Sequence, residues 1–512
     1  MTINKIKTII VLSVLVALGG AVSMKSNEHN KTLRVAFPVR LKSTAYEPTN
    51  INFDYEYIFL ENVFSPLVEI SANGSVEKGV ADKVEWSGDE LKLTIRDNLK
   101  TISGKSITAD DVVFSLKRLL VLSGNTHGNF KDIVCPGVDI KSTDENCPGI
   151  RKEGNSVFLN AKGKKSFILP MLGAIDFAVI PKSSVDPLSL KILDYKETSG
   201  PYAVDSDDGN GNIRLIQNPH HYFSTNDVAK EVILVPTSVK PEESSLAAFK
   251  QGKVDHITTI DATKPEEIIN FAQNSLDAEL LVTMKIRTLV LVFTQKGESE
   301  FNAAERRYIG KNIKAAFSKI YSGVVGTEQR AEFFPNLSEG GLTIEQQNRF
   351  KIELEKELQE PKKEIRLGII RRGSLDEWAN PIKELLPQVN ASLISYIPDF
   401  KTDLTPDETP HAFIGFTDTG FMEDIGLISY SLNSGVLGLN KTERAKWLAS
   451  YMAIDDKEIR IKKLKELHFE ALARPSIVPL VALSYTALVR KPWKIELSEL
   501  YANNQLWRIK LR

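Results

Sequence analysis

Residues Glu77–Leu120, EKGVADKVEWSGDELKLTIRDNLKTISGKSITADDVVFSLKRLL, constrain the fold more than any other stretch of the chain. Leu91, Leu93 and Ile95 alternate with Lys92, Thr94 and Arg96. That period of two lays one face of a strand on a core. Asp97 and Asn98 end the alternation, and Gly104 permits a tight bend. Thr108 then stands three residues before Asp111, with Asp110 between them. This is a capping-box arrangement with Asp in place of Glu, and its carboxylates favour a helix N-terminus. Val112, Val113, Leu116, Leu119 and Leu120 follow at helical spacing, so one apolar stripe faces inward. The stretch reads as a strand–turn–helix unit.

At 512 residues the chain is too long for a single core, and two or three lobes are expected. Hydrophobic content of 42% and charged content of 26% are those of a globular protein. Lys plus Arg at 65 nearly balances Asp plus Glu at 66, so no charge excess points to nucleic acid or an anionic membrane surface.

The N-terminus carries its own signal. Lys5 and Lys7 precede an apolar run from Ile9 to Leu18, and Gly19, Gly20, Ala21 and Ser23 supply small residues behind it. This pattern predicts a secretory signal peptide over residues 1–23, cleaved after Ser23 with Ala21 as the second choice, because the run is too short for a comfortable membrane span. Cleavage removes two lysines and no acids, taking the formal charge from −1 to −3. No Cys follows the run, so the expected product is an exported, periplasmic protein without a lipid anchor. Cys135 and Cys147 lie in two Cys-Pro-Gly triplets, and in an exported chain they suggest one disulfide closing a short loop. A metal site is the weaker reading, with His127 the only nearby His.

Further along, Leu33 to Phe37 reads as a buried strand and Tyr55 to Val63 as a helix. Tyr202 to Val204 and Ile213 to Gln217 read as a hairpin turned at Asp207 to Asn212. His220 and His221 read as surface or packing residues. Between Ala278 and Phe293 the sequence becomes strongly strand-like, where we expect the chain to pass into another lobe. Ala303 to Ile320 reads as a helix whose Arg306, Arg307, Lys311 and Lys314 form a solvated basic face. Strands at Glu364 to Arg371, Ala391 to Tyr396 and Ala412 to Phe416 around a helix at Leu375 to Leu386 indicate an α/β lobe. Helices are expected at Gln346 to Pro361, Thr442 to Met452 and Ile454 to Leu472. Ile477 to Leu483 and Thr486 to Val489 read as strands returning to the first lobe.

There is no G-x-S-x-G elbow, no H-E-x-x-H and no G-x-G-x-x-G after a strand. An exported chain of several lobes without a catalytic motif is expected to bind a solute between them, without cofactor or metal, rather than act as an enzyme.

Several ordered signatures carry a family likeness. Asn62-Val63-Phe64-Ser65-Pro66-Leu67-Val68 opens the series, and Leu93 to Arg118, with Thr108-Ala109-Asp110-Asp111-Val112-Val113-Phe114-Ser115 at its centre, is its strongest member. Ser199-Gly200-Pro201-Tyr202, Asn218-Pro219 and Phe249-Lys250-Gln251-Gly252-Lys253-Val254-Asp255 complete it. In these stretches the chain resembles the dipeptide- and oligopeptide-type (family 5) extracellular solute-binding proteins of bacterial ABC importers.

The resemblance implies a type II periplasmic-binding-protein-like α/β fold, two lobes joined by hinge crossings, with an extra subdomain in lobe I. On that likeness lobe I spans 31–285 plus 485–512, its subdomain Ib about 70–195, and lobe II 286–484. The implied partners are a peptide or similar small oligomeric solute and the ABC permease subunits, the protein acting as a monomer. A ligand sensor, or a binder of a sugar, opine or metal chelate, is the alternative. Thr44, Ala45 and Tyr46 match the family's lobe I edge. Gly415, Phe416 and Thr417 match its lobe II edge, often G-W-x-A-D-Y. Phe416 replaces the Trp. Thr419 stands where the family's Asp holds a peptide amine, and Asp418 lies one residue earlier.

Overall fold

The computed structural model describes residues 31–512 except 41, 52–53, 72–74, 124–129, 162–164, 239, 260–264, 331, 333, 335–339, 355, 370–374, 394–407, 419–445, 448–449, 452, 455 and 501–503. The expected signal peptide, Thr419 and most of the expected Thr442 to Met452 helix lie outside the described residues.

The chain opens with β1 (Thr32–Phe37) and, after a turn, helix α1 (Asp54–Val63). A two-stranded ribbon, β2 (Val68–Ile70) and β3 (Val76–Lys78), leads into an antiparallel sheet of β4 (Ala81–Ser87), β5 (Glu90–Ile95), β6 (Ile150–Glu153) and β7 (Ser156–Asn160), ordered β4-β5-β7-β6. Helix α2 (Ala109–Leu122) covers this sheet. Leu91, Leu93 and Ile95 of β5 and Val112, Leu116, Leu119 and Leu120 of α2 are all buried in one cluster. The start of α2 is fixed by its cap: Asp111 Oδ2 accepts from the Thr108 amide at 2.9 Å, and Thr108 Oγ1 accepts from the Asp110 amide at 3.3 Å. Cys135 and Cys147 are joined as a disulfide, with Cα atoms 5.1 Å apart.

After α3 (Lys165–Leu172) the chain adds β8 (Tyr202–Asp207), β9 (Ile213–Gln217), β10 (Glu231–Pro236), α4 (Ser245–Lys250), β11 (His256–Thr258), α5 (Pro265–Gln273) and β12 (Ala278–Val282). These strands join β1 in a seven-stranded sheet. There β1 lies parallel to both β10 and β11, which demands crossover connections instead of hairpins. Its run of apolar residues follows from burial on both faces.

The strand-like stretch Ala278 to Phe293 is two strands. β12 stays in the first sheet, and β13 (Arg287–Phe293) starts a second. Next come α6 (Gln295–Glu300), α7 (Ala303–Ile320), β14 (Thr327–Gln329), α8 (Ile344–Leu354), β15 (Ile365–Ile369), α9 (Leu375–Leu385), β16 (Val389–Leu393), β17 (Ala412–Asp418), α10 (Lys457–Ala473) and β18 (Ile477–Leu483). The second sheet is ordered β14-β18-β13-β17-β15-β16. Leu289, Leu291 and Phe293 of β13 pack with Ile309, Phe317 and Trp378 on one face. Val290 and Val292 pack with Phe350, Leu464 and Leu467 on the other. A strand covered on both sides has no polar alternation to show, which is why its two faces could not be separated by pattern alone.

Two expectations are corrected here. Ile477–Leu483 does not return to the first sheet; it pairs with β13 and β14 in the second. Only β19 (Thr486–Arg490) returns, between β11 and β12, before the ribbon of β20 (Trp493–Ile495) and β21 (Ile509–Leu511). The basic side of α7 is also not simply a solvated face. Lys314 Nζ donates to the Arg330 carbonyl at 2.6 Å, and burial lowers its ammonium to about 8. Arg306 is half-buried and donates to the Phe301 carbonyl at 2.5 Å.

Candidate functional site

The two sheets are connected by two short crossings, residues 283–286 and 484–485, lying side by side. Thr283 N donates to the Tyr485 carbonyl at 2.9 Å, and Tyr485 N donates to Thr283 Oγ1 at 2.9 Å. Two crossings so laced have the arrangement of a paired hinge. The Tyr485 hydroxyl donates to Asn504 Oδ1 at 2.8 Å, and the Asn504 amide donates to Glu61 Oε2 at 3.0 Å. The hinge is thereby tied to α1 and to the C-terminal segment.

Beside it, Glu69 is 3% exposed. Its Oε1 accepts from the Tyr222 hydroxyl at 3.0 Å, and its Oε2 accepts from Gln505 Nε2 at 3.3 Å. Burial is the main cause that pushes its carboxyl up to about 7, against the pull of the Tyr222 bond and the Arg508 charge. A folded-state value above the unfolded 4.5 favours the protonated form. The stabilisation is therefore complete below pH 4.5 and is lost as pH rises through 7. Glu69→Gln should gain stability relative to the parent protein between pH 5 and pH 8, by about 3 kcal/mol. Urea denaturation at the two pH values reads the difference; a gain toward low pH would contradict it.

The first set of expected ligand residues follows β1. Ser43–Ala45 form a single 3-10 turn, closed by the Ala45 amide on the Lys42 carbonyl at 2.9 Å and the Tyr46 amide on the Ser43 carbonyl at 3.2 Å. Thr44 and Ala45 are exposed at its tip. Tyr46 is not: it is 1% exposed, with its ring 4.9 Å from Phe59 and 5.9 Å from Phe37. Its amide is taken by the turn and its carbonyl accepts from the Tyr195 hydroxyl. Tyr46 therefore anchors the turn from the core, and the exposed part falls to Thr44 and Ala45.

The second set lies on β17, which is an inner strand of its sheet and not an edge. β13 pairs with it antiparallel over its whole length, from Phe293 opposite Ala412 to Arg287 opposite Asp418. β15 pairs with it in parallel at Ala412 to Ile414. Gly415 is buried, and Phe416 is half-buried with the Arg287 guanidinium 5.3 Å from its ring centre. Thr44 and Ala45 hang from the seven-stranded sheet, whereas Gly415 to Asp418 belong to the six-stranded one. The site residues are divided between the two units that the hinge joins.

Sequence reasoning missed the residues that hold the turn. Arg118, Tyr195 and Asp207 come from α2, a loop and β8. Arg118 gave the one available signal, a charge set among the apolar positions of an otherwise inward-facing stripe. The buried His221 is an ordinary packing histidine: its Nε2 lies 2.9 Å from Ser65 Oγ, and its Nδ1 accepts from the Phe223 amide. Among the described residues no group of three or more His, Cys, Asp and Glu is placed to hold a metal ion. No helix among them is long and apolar enough to cross a membrane.

Two α/β units joined by paired crossings, one carrying an extra four-stranded sheet, define the type II periplasmic-binding-protein fold. A family model for bacterial extracellular solute-binding proteins, family 5 (middle region) matches residues 75–314. A dipeptide-binding protein of Lactococcus lactis subsp. cremoris (strain MG1363) is 24% identical over 331 residues, 61% of this chain. The match spans 57% of that relative's length. Among solved structures, Haemophilus influenzae OppA in complex with RPPGFSPFR superposes with a TM-score of 0.73 at 16% identity, covering 94% of this chain and 99% of that one. Staphylococcus aureus NikA in complex with Ni(L-His)2 gives 0.70 at 13% identity, covering 94% and 100%. A dipeptide-binding protein from Pseudoalteromonas sp. SM9913 in complex with Met-Leu gives 0.73 at 14%, covering 94% and 100%.

Proposed function

We propose that this protein is an exported carrier that captures a peptide, or a similar small oligomeric solute, between its two lobes and delivers it to an ABC importer. The observation that carries the reading is the division of the candidate ligand residues between the two joined units, with Thr44 and Ala45 following β1 of the seven-stranded sheet and Gly415 to Asp418 on β17 of the six-stranded one. An extended ligand bound through main-chain bonds between them would tolerate varied side chains. Exposed Thr44 and Ala45 offer main chain from the other lobe. In this reading the lobes are 31–285 plus 485–512, with subdomain Ib at about 70–195, and 286–484. Residues 1–23 direct export and are removed, the protein works as a monomer in the periplasm, and the permease subunits are its partners. It is a carrier and not an enzyme.

Asp418 is proposed to receive the ligand's ammonium group, one position before the family's usual Asp. A charge-assisted bond in a closed cleft contributes about 1.5–3 kcal/mol. Asp418→Asn should therefore weaken a short peptide with a free amine ten- to hundredfold and leave its N-acetylated form unaffected, as read by calorimetry. Equal affinities in parent and variant would remove the amine anchor. Thr419 in place of Asp favours one second reading, a metal chelate or other non-peptide solute, the kind of ligand held by the similar NikA.

A further inference from the structure

The exposed tip at Thr44 and Ala45 is held from three directions, each by a different part of the fold. The Ser43 amide donates to Asp207 Oδ2 at 2.6 Å, while Asp207 Oδ1 accepts from the Gly209 amide at 2.8 Å. The Tyr195 hydroxyl donates to the Tyr46 carbonyl, its ring wedged 5.7 Å from Phe59 and 5.9 Å from Phe64. Glu47, which ends the turn, is gripped by Arg118: Nη1 donates to Oε1 at 3.0 Å and Nη2 to Oε2 at 2.6 Å.

Arg118 is the exceptional member. Its side chain is 1% exposed, against 26% for Glu47. Its Nε donates to the Leu190 carbonyl at 2.8 Å. Leu190 is the only non-glycine residue with positive φ among the described residues, at 58°. A left-handed leucine is strained and persists only where its surroundings impose it. Here the strained residue turns its carbonyl onto the same guanidinium that holds the turn. A planar fork with all three nitrogens engaged fixes the Glu47 carboxylate in position and in angle, which a lysine cannot do.

We infer that the Arg118–Glu47 pair is a positioning device for ligand binding: it carries the placement of helix α2, in the extra subdomain, to the main chain of Thr44 and Ala45. The inference rests on the reading of that turn as one wall of the binding cleft. Arg118 touches no ligand. It sets the height at which the turn meets one, so loosening it should cost affinity out of proportion to stability. It also gives the extra subdomain a function beyond bulk, since α2 is where the grip originates.

The test uses the full mature protein and two variants, Arg118→Lys and Glu47→Gln. The second alters a partly exposed side chain and keeps its size and one acceptor, so it reads the proposal even where the buried lysine prevents folding. Binding of a short free-amine peptide is measured by calorimetry, with a melting curve for each variant and amide hydrogen exchange at Ala45 and Tyr46. The expected result is at least a tenfold loss of affinity in Glu47→Gln with a melting temperature within a few degrees of the parent. Exchange at Ala45 and Tyr46 should be faster than in the parent while the amides of α2 are unchanged. Parental affinity in Glu47→Gln would overturn the positioning role and leave the carrier reading standing. A parent protein that binds no peptide at all would overturn both.

Discussion

Gly200→Ala is expected to be among the most damaging single-methyl changes in the molecule. A Cβ at residue 200 would sit 2.4 Å from the Val63 carbonyl carbon, 2.6 Å from the Phe64 nitrogen and 2.6 Å from the Val63 oxygen. All three are backbone atoms at the C-terminal end of α1, so no side chain can rotate away. The approach is close because the chain uses it: the Gly200 amide donates to the Val63 carbonyl at 3.0 Å, and the Ser65 amide donates to Ser199 Oγ at 3.0 Å. Separating the two segments would break both bonds inside a buried site. The expected loss is about 3 kcal/mol or more, lowering the melting temperature of that lobe by roughly 10 °C. Gly88→Ala is the contrasting change. Its φ of +58 strains an alanine, but open space surrounds the position, and the cost should be near 1 kcal/mol. Comparable losses in the two variants would contradict the packing argument.

Trp378→Ala should cost as much in the other unit. Trp378 is fully buried, its ring 5.1 Å from that of Phe317 and inclined by 61°. It fills the face of the six-stranded sheet that α7 and α9 cover, with Ile313, Ile382 and Ile414 around it. Truncating a buried tryptophan to alanine costs about 3–5 kcal/mol, because the surroundings relax only in part. No side chain is shared between the sites of Gly200 and Trp378, so their effects in the double variant should add within about 0.5 kcal/mol. Denaturation of the single and double variants checks both the size and the additivity.

The legible parts of the sequence were those where one physical signal dominates. The Thr108–Asp111 cap announced α2 because a hydroxyl and a carboxylate three residues apart have few other uses ahead of an apolar stripe. The loop between Cys135 and Cys147 was legible for a similar reason, since its ends are marked by chemistry and not by pattern. Ile477–Leu483 was assigned to the wrong sheet because a strand buried on both faces carries no record of which sheet buries it. Tyr46 was read as a ligand contact from its place in a resemblance. Its aromatic neighbours Phe37 and Phe59 come from elements that only folding brings together. The grip of Arg118 on Glu47 spans 71 residues, and no local spacing encodes it.

The central claim is capture of a peptide between the lobes, and native mass spectrometry of the mature protein with a mixed pool of short peptides tests it most directly. The expected spectrum shows a monomer carrying one peptide of the pool, with several sequences of similar length retained. A protein that emerges from the pool at its bare mass, yet gains the mass of nickel–histidine when offered that chelate instead, would contradict it.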